Sequence, residues 1–234
     1  MASYTINKAD ILRAVSSSTE EQALSFDPSK RVVRFPAWVD FEIFSKVQAS
    51  RSDEKDFKIL FIGSVTDRKK PHLIVEAINK IKNKDIKLYV VGPTPNENYL
   101  SQLKELVHNY DLEDQVLFTG SVDRKSVMDH YADTNLMILP SVSEGLARVI
   151  FESQATACPV LVTDAPGMGD IVIDGQTGYI FESDNLESLT NKIQEIINNY
   201  NDAVHVGNNA KDFILSNYSA DNFKFSFKKL FDTV

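Results

Sequence analysis

The sequence predicts an α/β protein with a doubly wound parallel sheet of about six strands and helices at its C-terminal end. Two observations carry this prediction. Short apolar runs alternate with segments whose apolar residues recur at helical spacing. Most of these runs end at a glycine or a proline, which is typical of a strand that gives way to a loop. Regular alternation of strands and helices favours parallel pairing, with helices on both faces of the sheet.

The predicted elements follow one another from residue 57 onward. The first strand covers 57–62 and ends at Gly63, and a helical stripe follows over 73–81. The later strands are predicted over 86–91, 116–119, 136–139, 160–163 and 179–181. The helices between them are predicted over 100–110, 127–131 and 147–157. The chain after 181 reads as helical up to Val234, and no repeat interrupts it.

The beginning of the chain predicts a separate βα unit. An apolar run at 11–15 precedes the hydroxyl residues 16–19, which predict a helix N-cap. A glutamate at the third helical position is expected to complete the capping box by accepting from the N-cap backbone N–H. One such unit cannot bury its own face, so we expect a removed segment or another chain to supply its sheet. The alternative is that this strand joins the edge of the main sheet. We interpret 35–40 and 49–56 as a crossover and a linker, which separates residues 1–50 from a domain at 51–234.

Composition excludes several classes of function. The chain has 234 residues, enough for one large α/β domain with an appendage. Its net charge of −8 has the wrong sign for binding nucleic acid. No apolar run has the length of a membrane span, and the lone Cys158 has no internal disulfide partner. We therefore expect a cytoplasmic protein that binds no nucleic acid.

Sheet topology selects two loops as the candidate ligand site. In the strand order 3-2-1-4-5-6, ligands bind between the first and fourth strands, which places 63–70 and 141–148 at the site. Lys69 can contact a phosphate, and the start of the helix near Ala147 can bind an anion. Glu144 and Glu152 can accept sugar hydroxyls at the two ends. The set suits a nucleotide sugar, although a solvated lysine and an ordinary pair of helix glutamates remain the simpler alternative.

Competing cofactor sites have no support in the sequence. Gly63 and Gly92 stand alone after their strands, so neither a dinucleotide fingerprint nor a phosphate-binding P-loop is present. The four histidines lack the spacing of metal ligands: His72, His108, His130 and His205. We expect no metal and no cofactor.

One segment carries a family resemblance. The residues at 140–152 read PSVSEGLARVIFE, and they are followed by Pro159-Val160, Thr163-Asp164 and DGQTG at 174–178. This series resembles the C-terminal, donor-binding domain of retaining GT-B glycosyltransferases of family 4, also called group 1. The resemblance runs from about 57 to 200 and weakly back to Ala9. It implies a Rossmann-like domain, half of a GT-B fold, and it implies that 1–50 contains the end of an acceptor domain.

The resemblance assigns roles to individual residues. It implies that Glu144 holds hydroxyls of the donor sugar, that Glu152 holds the ribose, and that Lys69 contacts the diphosphate. The main chain at Val122 would read the base, and Gly63 would let the first loop approach the ligand. The remaining donor-binding positions are Ser64, Gly145, Leu146, Ala147, Arg148 and Val149, the last four through backbone N–H groups.

The sequence departs from the family pattern at three positions. Ser64 stands where the family usually has an arginine, so one cation for the diphosphate is absent. Arg68 or Lys70 can replace it only if the loop bends toward the ligand. Ala147 and Ala157 stand where glycine is common, and Ala147 would place a methyl group where backbone and sugar approach closely. We expect weaker donor binding than is typical.

The implied function is transfer of a hexose-type sugar from a UDP-, GDP- or ADP-sugar to an acceptor hydroxyl with retention, in glycan or polysaccharide biosynthesis. Glu144 and Lys69 are the expected catalytic residues, and no metal is required. The implied partners are the nucleotide sugar and a missing acceptor domain or partner subunit, through which alone the protein would contact a membrane. This chain by itself is expected to bind a donor and hardly to transfer.

Two alternatives to this interpretation stay open. The chain can be a nucleotide-sugar-binding subunit that needs a separate acceptor-domain partner. It can also be a non-catalytic Rossmann-like interaction module that has lost donor binding, which Ser64 and Ala147 favour.

Overall fold

A computed structural model describes residues 6, 8–51 and 56–231 of the chain. Parts of the predicted linker and the last predicted helical residues, 52–55 and 232–234, lie outside the described residues. The strands are β1 (Leu12–Ala14), β2 (Val32–Arg34), β3 (Phe57–Ile62), β4 (Ile86–Val91), β5 (Val116–Gly120), β6 (Leu136–Leu139), β7 (Val160–Thr163) and β8 (Tyr179–Phe181).

The helices alternate with the strands as the apolar spacing predicts. They are α1 (Ser17–Phe26), α2 (Glu42–Ser45), α3 (Pro71–Ile81), α4 (Glu97–Asn109), α5 (Arg124–Asp133), α6 (Arg148–Ala155), α7 (Leu186–Asn198), α8 (Tyr200–Asn217) and α9 (Ala220–Phe231). Within the described part of the chain, none of the helices has the length and apolar character needed to cross a membrane.

The main sheet confirms the predicted doubly wound topology. Its six strands are all parallel, in the order β5-β4-β3-β6-β7-β8. The order reverses between β3 and β6, where Ile59 pairs with Leu136. The loops that follow these two strands therefore leave the sheet side by side, at the position where open α/β sheets bind ligands.

The core lies on both faces of the central strands. All the residues of β6 and β7 are buried, and β3 is buried along nearly its whole length. Strands covered on both faces must be apolar on both sides, which explains why these segments read as continuous apolar runs rather than alternating ones. The apolar stripe of α3, including Leu73, Ile74 and Ile78, packs into the same core.

The N-terminal unit forms a small sheet of its own. β1 pairs in parallel with β2, so the chain itself supplies a neighbouring strand that was expected from a removed segment or another chain, and the alternative in which this strand joins the main sheet is wrong. β2 was not predicted from the sequence, and none of its three residues is buried. The N-cap of α1 is Ser16, and Thr19 rather than a glutamate occupies the third position and accepts the Ser16 N–H at 2.9 Å. No residue of α1 is buried.

Arg51, in the predicted linker, is bonded to the main domain. Its guanidinium donates to the carbonyls of Tyr131 at 3.1 Å and Thr134 at 2.7 Å, at the end of α5. It also donates to the carbonyls of Thr156 at 2.8 Å and Ala157 at 3.1 Å, just after α6. A cation at a helix C-terminus satisfies carbonyls that the helix leaves without partners, and here one side chain does so for two helices.

Ala157 adopts a left-handed backbone conformation, with φ of 56°. Helix α8 passes directly over it, because a Cβ placed on Gly207 would lie 2.4 Å from the Ala157 carbonyl oxygen. The turn after α6 thus holds a strained alanine against a helix that comes close only because it has a glycine at the contact.

Replacing Ala157 with glycine is expected to raise the free energy of unfolding by about 0.5–1 kcal/mol, since relief of the left-handed strain exceeds the added freedom of the unfolded chain. Urea denaturation measures the change. Ala155→Gly, inside α6 and fully buried, is the matched control and is expected to destabilise. Equal losses in both variants would contradict strain at Ala157.

Candidate functional site

Two glycines fix the first loop of the site at the ends of β3 and β4. Gly63 has a φ of 141° and donates its N–H to the Val91 carbonyl at 2.9 Å. Gly92 has a φ of 137°, and a Cβ on it would lie 2.1 Å from the Gly63 carbonyl oxygen. Only glycine permits both the backbone angle and this approach, so the start of the loop rests directly on the neighbouring strand end.

A 3₁₀ turn at Asp67–Lys69 returns the loop toward the sheet. It places the Lys69 ammonium over Gly63, where a Cβ on the glycine would lie 2.9 Å from Lys69 Nζ. The lysine side chain is only 13% exposed. The glycine that the resemblance associates with close ligand approach therefore also provides the space in which Lys69 lies.

The second loop brings Glu144 against this lysine. Glu144 Oε1 lies 3.3 Å from Lys69 Nζ and 3.3 Å from a guanidinium nitrogen of Arg68, and the Glu144 side chain is 11% exposed. Ser141 Oγ donates to the same oxygen at 2.8 Å. Among the described residues, all polar contacts of this carboxylate involve Oε1, which leaves Oε2 able to accept ligand hydroxyls.

Ser141 was not singled out from the sequence. It is fully buried at the end of β6, and its own carbonyl accepts the Thr163 hydroxyl at 2.6 Å. These two bonds orient Glu144 from the sheet side. A hydroxyl residue placed directly after a strand at the reversal point is the sequence signal that could have identified it.

The start of α6 lies between the two predicted carboxylates. Its N-cap, Ala147, makes no side-chain cap bond, so no side chain satisfies the first N–H groups of the helix in this way. Ala147 is 5% exposed and belongs to the core, where a methyl group is accommodated. The N–H of Arg148 donates to the Leu146 carbonyl at 3.1 Å, so a ligand that accepts from this group has to replace that bond, and its role in binding stays a prediction.

A cavity of about 520 Å³ lies along the first turns of α6. Its lining contains four residues that were predicted to bind the donor: Val122, Arg148, Val149 and Glu152. The other lining residues were not predicted as site residues: Asp40, Phe44, Ile62, Arg124 and Val127. Arg124 lies 3.6 Å from the Asp40 carboxylate at the edge of the cavity. Arg124 is the first residue of α5, two positions after Val122 in the segment that follows β5, and this position is the signal that could have identified it.

Glu152 is held in this cavity by Tyr131. The Tyr131 hydroxyl lies 3.3 Å from Glu152 Oε2 and 3.3 Å from the Val149 carbonyl. Burial raises the pKa of the Glu152 carboxyl above its ordinary value of 4.5, although the bond from Tyr131 opposes the rise. Burial also raises the pKa of Tyr131. Ionised Glu152 therefore carries a desolvation cost in the free protein that ligand hydroxyls can offset.

The predicted site residues divide into two groups. Gly63, Lys69 and Glu144 are together at the loop that precedes α6, and Val122, Arg148, Val149 and Glu152 line the cavity that runs along the first turns of this helix. Leu146 lines a different cavity, of about 200 Å³, between the main domain and the N-terminal unit. Ser64 is partly exposed and Gly145 exposed, and no contact that bears on their predicted roles is present among the described residues.

The described residues contain no cluster of metal-ligating side chains. Within residues 6, 8–51 and 56–231, no three residues among His, Cys, Asp and Glu are grouped so that they could hold a metal ion. Two of the histidines instead have ring neighbours. His72 Nδ1 lies 2.8 Å from the Tyr99 hydroxyl, and the His130 ring packs against Tyr89.

Comparison with known proteins yields a consistent set of relatives. An uncharacterised glycosyltransferase of Methanocaldococcus jannaschii is 30% identical over 69% of this chain and 44% of its own length. A capsular polysaccharide biosynthesis glycosyltransferase of Staphylococcus aureus is 25% identical over 78% of this chain and 49% of its own length. The chain thus spans about half the length of these curated relatives.

Solved structures confirm the Rossmann-like fold as half of a GT-B architecture. The Anabaena protein HepE, determined in complex with UDP and glucose, superposes on the whole of this chain with a TM-score of 0.87. The identity is 16%, and the match covers 66% of that protein. The profile of the family described as glycosyl transferases group 1 matches residues 42–213, which is most of the chain. The chain therefore belongs to the group 1 glycosyltransferase family, and it corresponds to the C-terminal domain of such an enzyme.

Proposed function

We propose that this chain binds a nucleoside diphosphate sugar and presents it for transfer of a hexose-type sugar to an acceptor hydroxyl with retention. The observation that carries the proposal is the pairing of Glu144 with Lys69 just before α6, together with the placement of Glu152 in a cavity along the first turns of the same helix. Both lie where the strand order reverses. A nucleotide sugar has hydroxyls at both ends and charge between them, which fits this arrangement.

The proposed chemistry is stabilisation of the leaving diphosphate. Lys69 lies over Gly63, just after β3, and α6 begins four residues after Glu144 with the positive end of its dipole at that terminus. Preorganised donors of this kind stabilise charge as it develops during bond cleavage without requiring a bound metal. Glu144 orients the sugar ring through Oε2, while Ser141 holds Oε1.

The nucleoside is proposed to occupy the 520 Å³ cavity. Glu152 accepts the ribose hydroxyls there, and the backbone at Val122 contacts the base. HepE was solved with UDP, which supports a nucleoside diphosphate as the ligand class of this fold. UDP, GDP and ADP are the candidates for this chain.

We propose that residues 51–234 form this donor domain and that 1–50 contains the end of an acceptor domain with the crossover. The separate β1–β2 sheet, whose helix α1 buries no residue, supports this division. The acceptor hydroxyl would then enter from a second wall, so the chain alone binds the donor and transfers poorly.

Binding is the direct test of the proposal. Calorimetry with UDP, GDP and ADP is expected to show saturable binding that prefers one base. Glu152→Ala is expected to weaken this binding by about 1–3 kcal/mol through loss of charged hydrogen bonds, and Lys69→Ala to act similarly. Glu105→Ala, on the exposed surface of α4, is the matched control. Unchanged affinity in both site variants would contradict the assignment.

Replacing Glu152 with glutamine is expected to weaken nucleotide binding and, at the same time, to stabilise the fold at neutral pH. Burial raises the pKa of Glu152, so the wild-type protein loses stability as the pH rises from 4.5 through that raised pKa. The neutral amide has no such cost, and the stability advantage of Glu152→Gln is expected to grow over the same pH range. Denaturation between pH 4 and 8 measures it. A variant that binds nucleotide more weakly but is no more stable at pH 8 would contradict a desolvated carboxylate.

A further inference from the structure

We propose that Arg68 supplies the second cation for the ligand diphosphate, in place of the residue at position 64. The inference rests on the proposed function and deepens it by assigning a binding residue that the family pattern does not provide. Ser64 leaves Lys69 as the only cation that the family pattern places at the diphosphate. The condition for a substitute is that the loop bends toward the site.

The loop meets this condition at Arg68. The Arg68 carbonyl accepts the Val142 N–H at 3.3 Å, which ties the first loop to the second. The guanidinium donates to the Ser143 carbonyl and lies 3.3 Å from Glu144 Oε1. Arg68 therefore reaches the residues that flank Glu144 from a turn that also presents Lys69.

Lys70, the other candidate, lies elsewhere. Its ammonium pairs with the Asp184 carboxylate, which follows β8. Residue 70 also has a φ of 49°, and this left-handed geometry ends the 3₁₀ turn and begins α3. The bend that brings Arg68 to Glu144 thus directs Lys70 away from it, and the two basic neighbours are not interchangeable.

The charges around Glu144 do not balance in the free protein. One carboxylate oxygen contacts two cations, so the Arg68–Lys69–Glu144 cluster carries one excess positive charge. Arg68 shares a single oxygen of Glu144 with Lys69. A diphosphate is a stronger acceptor for the guanidinium, because it offers several oxygens that can accept in a bidentate geometry. The Arg68 side chain is 50% exposed against 13% for Lys69, so a ligand can reach it.

When the Arg68 guanidinium leaves Glu144 and binds the diphosphate, the binding of the sugar to Glu144 is also affected. This movement removes one of the two cations from the carboxylate, which makes Glu144 a better acceptor for sugar hydroxyls. Diphosphate and sugar binding would then reinforce each other through one residue. A free nucleoside, which has no phosphate, gains nothing from Arg68.

The experiment compares two ligands on variants of the same loop. The nucleoside diphosphate that the wild-type protein prefers and the corresponding nucleoside are titrated into the wild type, Arg68→Gln and Lys70→Gln by calorimetry. Arg68→Gln is expected to lower diphosphate affinity by about 10-fold or more and to leave nucleoside affinity within about two-fold. Lys70→Gln, which removes the same charge from the next position, is expected to change neither.

A second variant tests whether the charge itself is what matters. Adding Ser64→Arg to Arg68→Gln returns a cation to the loop at the family position, and it is expected to restore at least part of the diphosphate affinity. Equal losses for diphosphate and nucleoside in Arg68→Gln, or no loss for either, would overturn the role of Arg68 while leaving the proposed function in place. Absence of nucleotide binding by the wild type would instead overturn the proposed function.

Discussion

Replacing Gly92 with alanine is expected to lower the free energy of unfolding by about 3 kcal/mol or more and to abolish measurable nucleotide binding. The added Cβ would lie 2.1 Å from the carbonyl oxygen and 2.7 Å from the carbonyl carbon of Gly63. Both are backbone atoms that cannot rotate away, and the φ of 137° is itself unfavourable for alanine. The loop that carries Lys69 would have to leave the end of β3.

Gly120→Ala is the matched control for this prediction. Gly120 ends β5 with a φ of 67°, but no atom outside its chain neighbours lies within 4 Å of its added Cβ. Only the left-handed strain remains, which costs about 1–2 kcal/mol. Urea denaturation and nucleotide calorimetry on both variants measure the difference. If Gly92→Ala is no more destabilised than Gly120→Ala, the Gly63 contact does not fix the loop.

Arg51→Ala is expected to destabilise the protein by about 3 kcal/mol or more. The substitution removes hydrogen bonds from one guanidinium to four carbonyls, at the C-terminal ends of α5 and α6. Those carbonyls keep their partial negative charge in a partly buried position. Arg51→Lys is expected to recover only part of the loss, because an ammonium cannot reach both helix ends with the geometry of a planar fork.

Arg34→Ala is the control for Arg51. Arg34 lies 3.3 Å from Glu20 and 3.4 Å from Asp170, but 46% of its side chain is exposed, so its loss is expected to cost less than about 1 kcal/mol. Chemical denaturation at low and high salt distinguishes the two, since exposed ion pairs are screened and the Arg51 contacts are not. A similar cost for both variants would contradict the capping role of Arg51.

The sequence predicted the main sheet because its signals are local. Each strand of β3 to β8 contains an apolar run, and in the central strands β3, β6 and β7 burial on both faces imposes that composition whatever the neighbours are. Lys69 and Glu144 lie in the loops after β3 and β6, which are neighbouring strands, so the predicted strand order placed them in one region. Their direct contact at 3.3 Å follows from that topology.

The sequence did not predict features that depend on distant partners. β2 forms because β1 is available to pair with it, and the two valines of Val32–Arg34 do not by themselves show that a partner strand exists. Arg51 occupies a polar stretch that reads as a linker, and its four acceptors lie 80 to 106 residues away along the chain. The approach of Asp40 to Arg124 at the cavity is of the same kind.

Glu144 lies in the loop that precedes α6, and Glu152 lies within the helix, so α6 fixes the distance between the two carboxylates. The buried face of α6, including Ile150, Phe151 and Gln154, prevents rotation about its axis. One residue inserted between Arg148 and Glu152 would turn the second carboxylate by about 100° and move it by 1.5 Å along the axis. We therefore expect this segment to tolerate a change of side chain far better than a change of length.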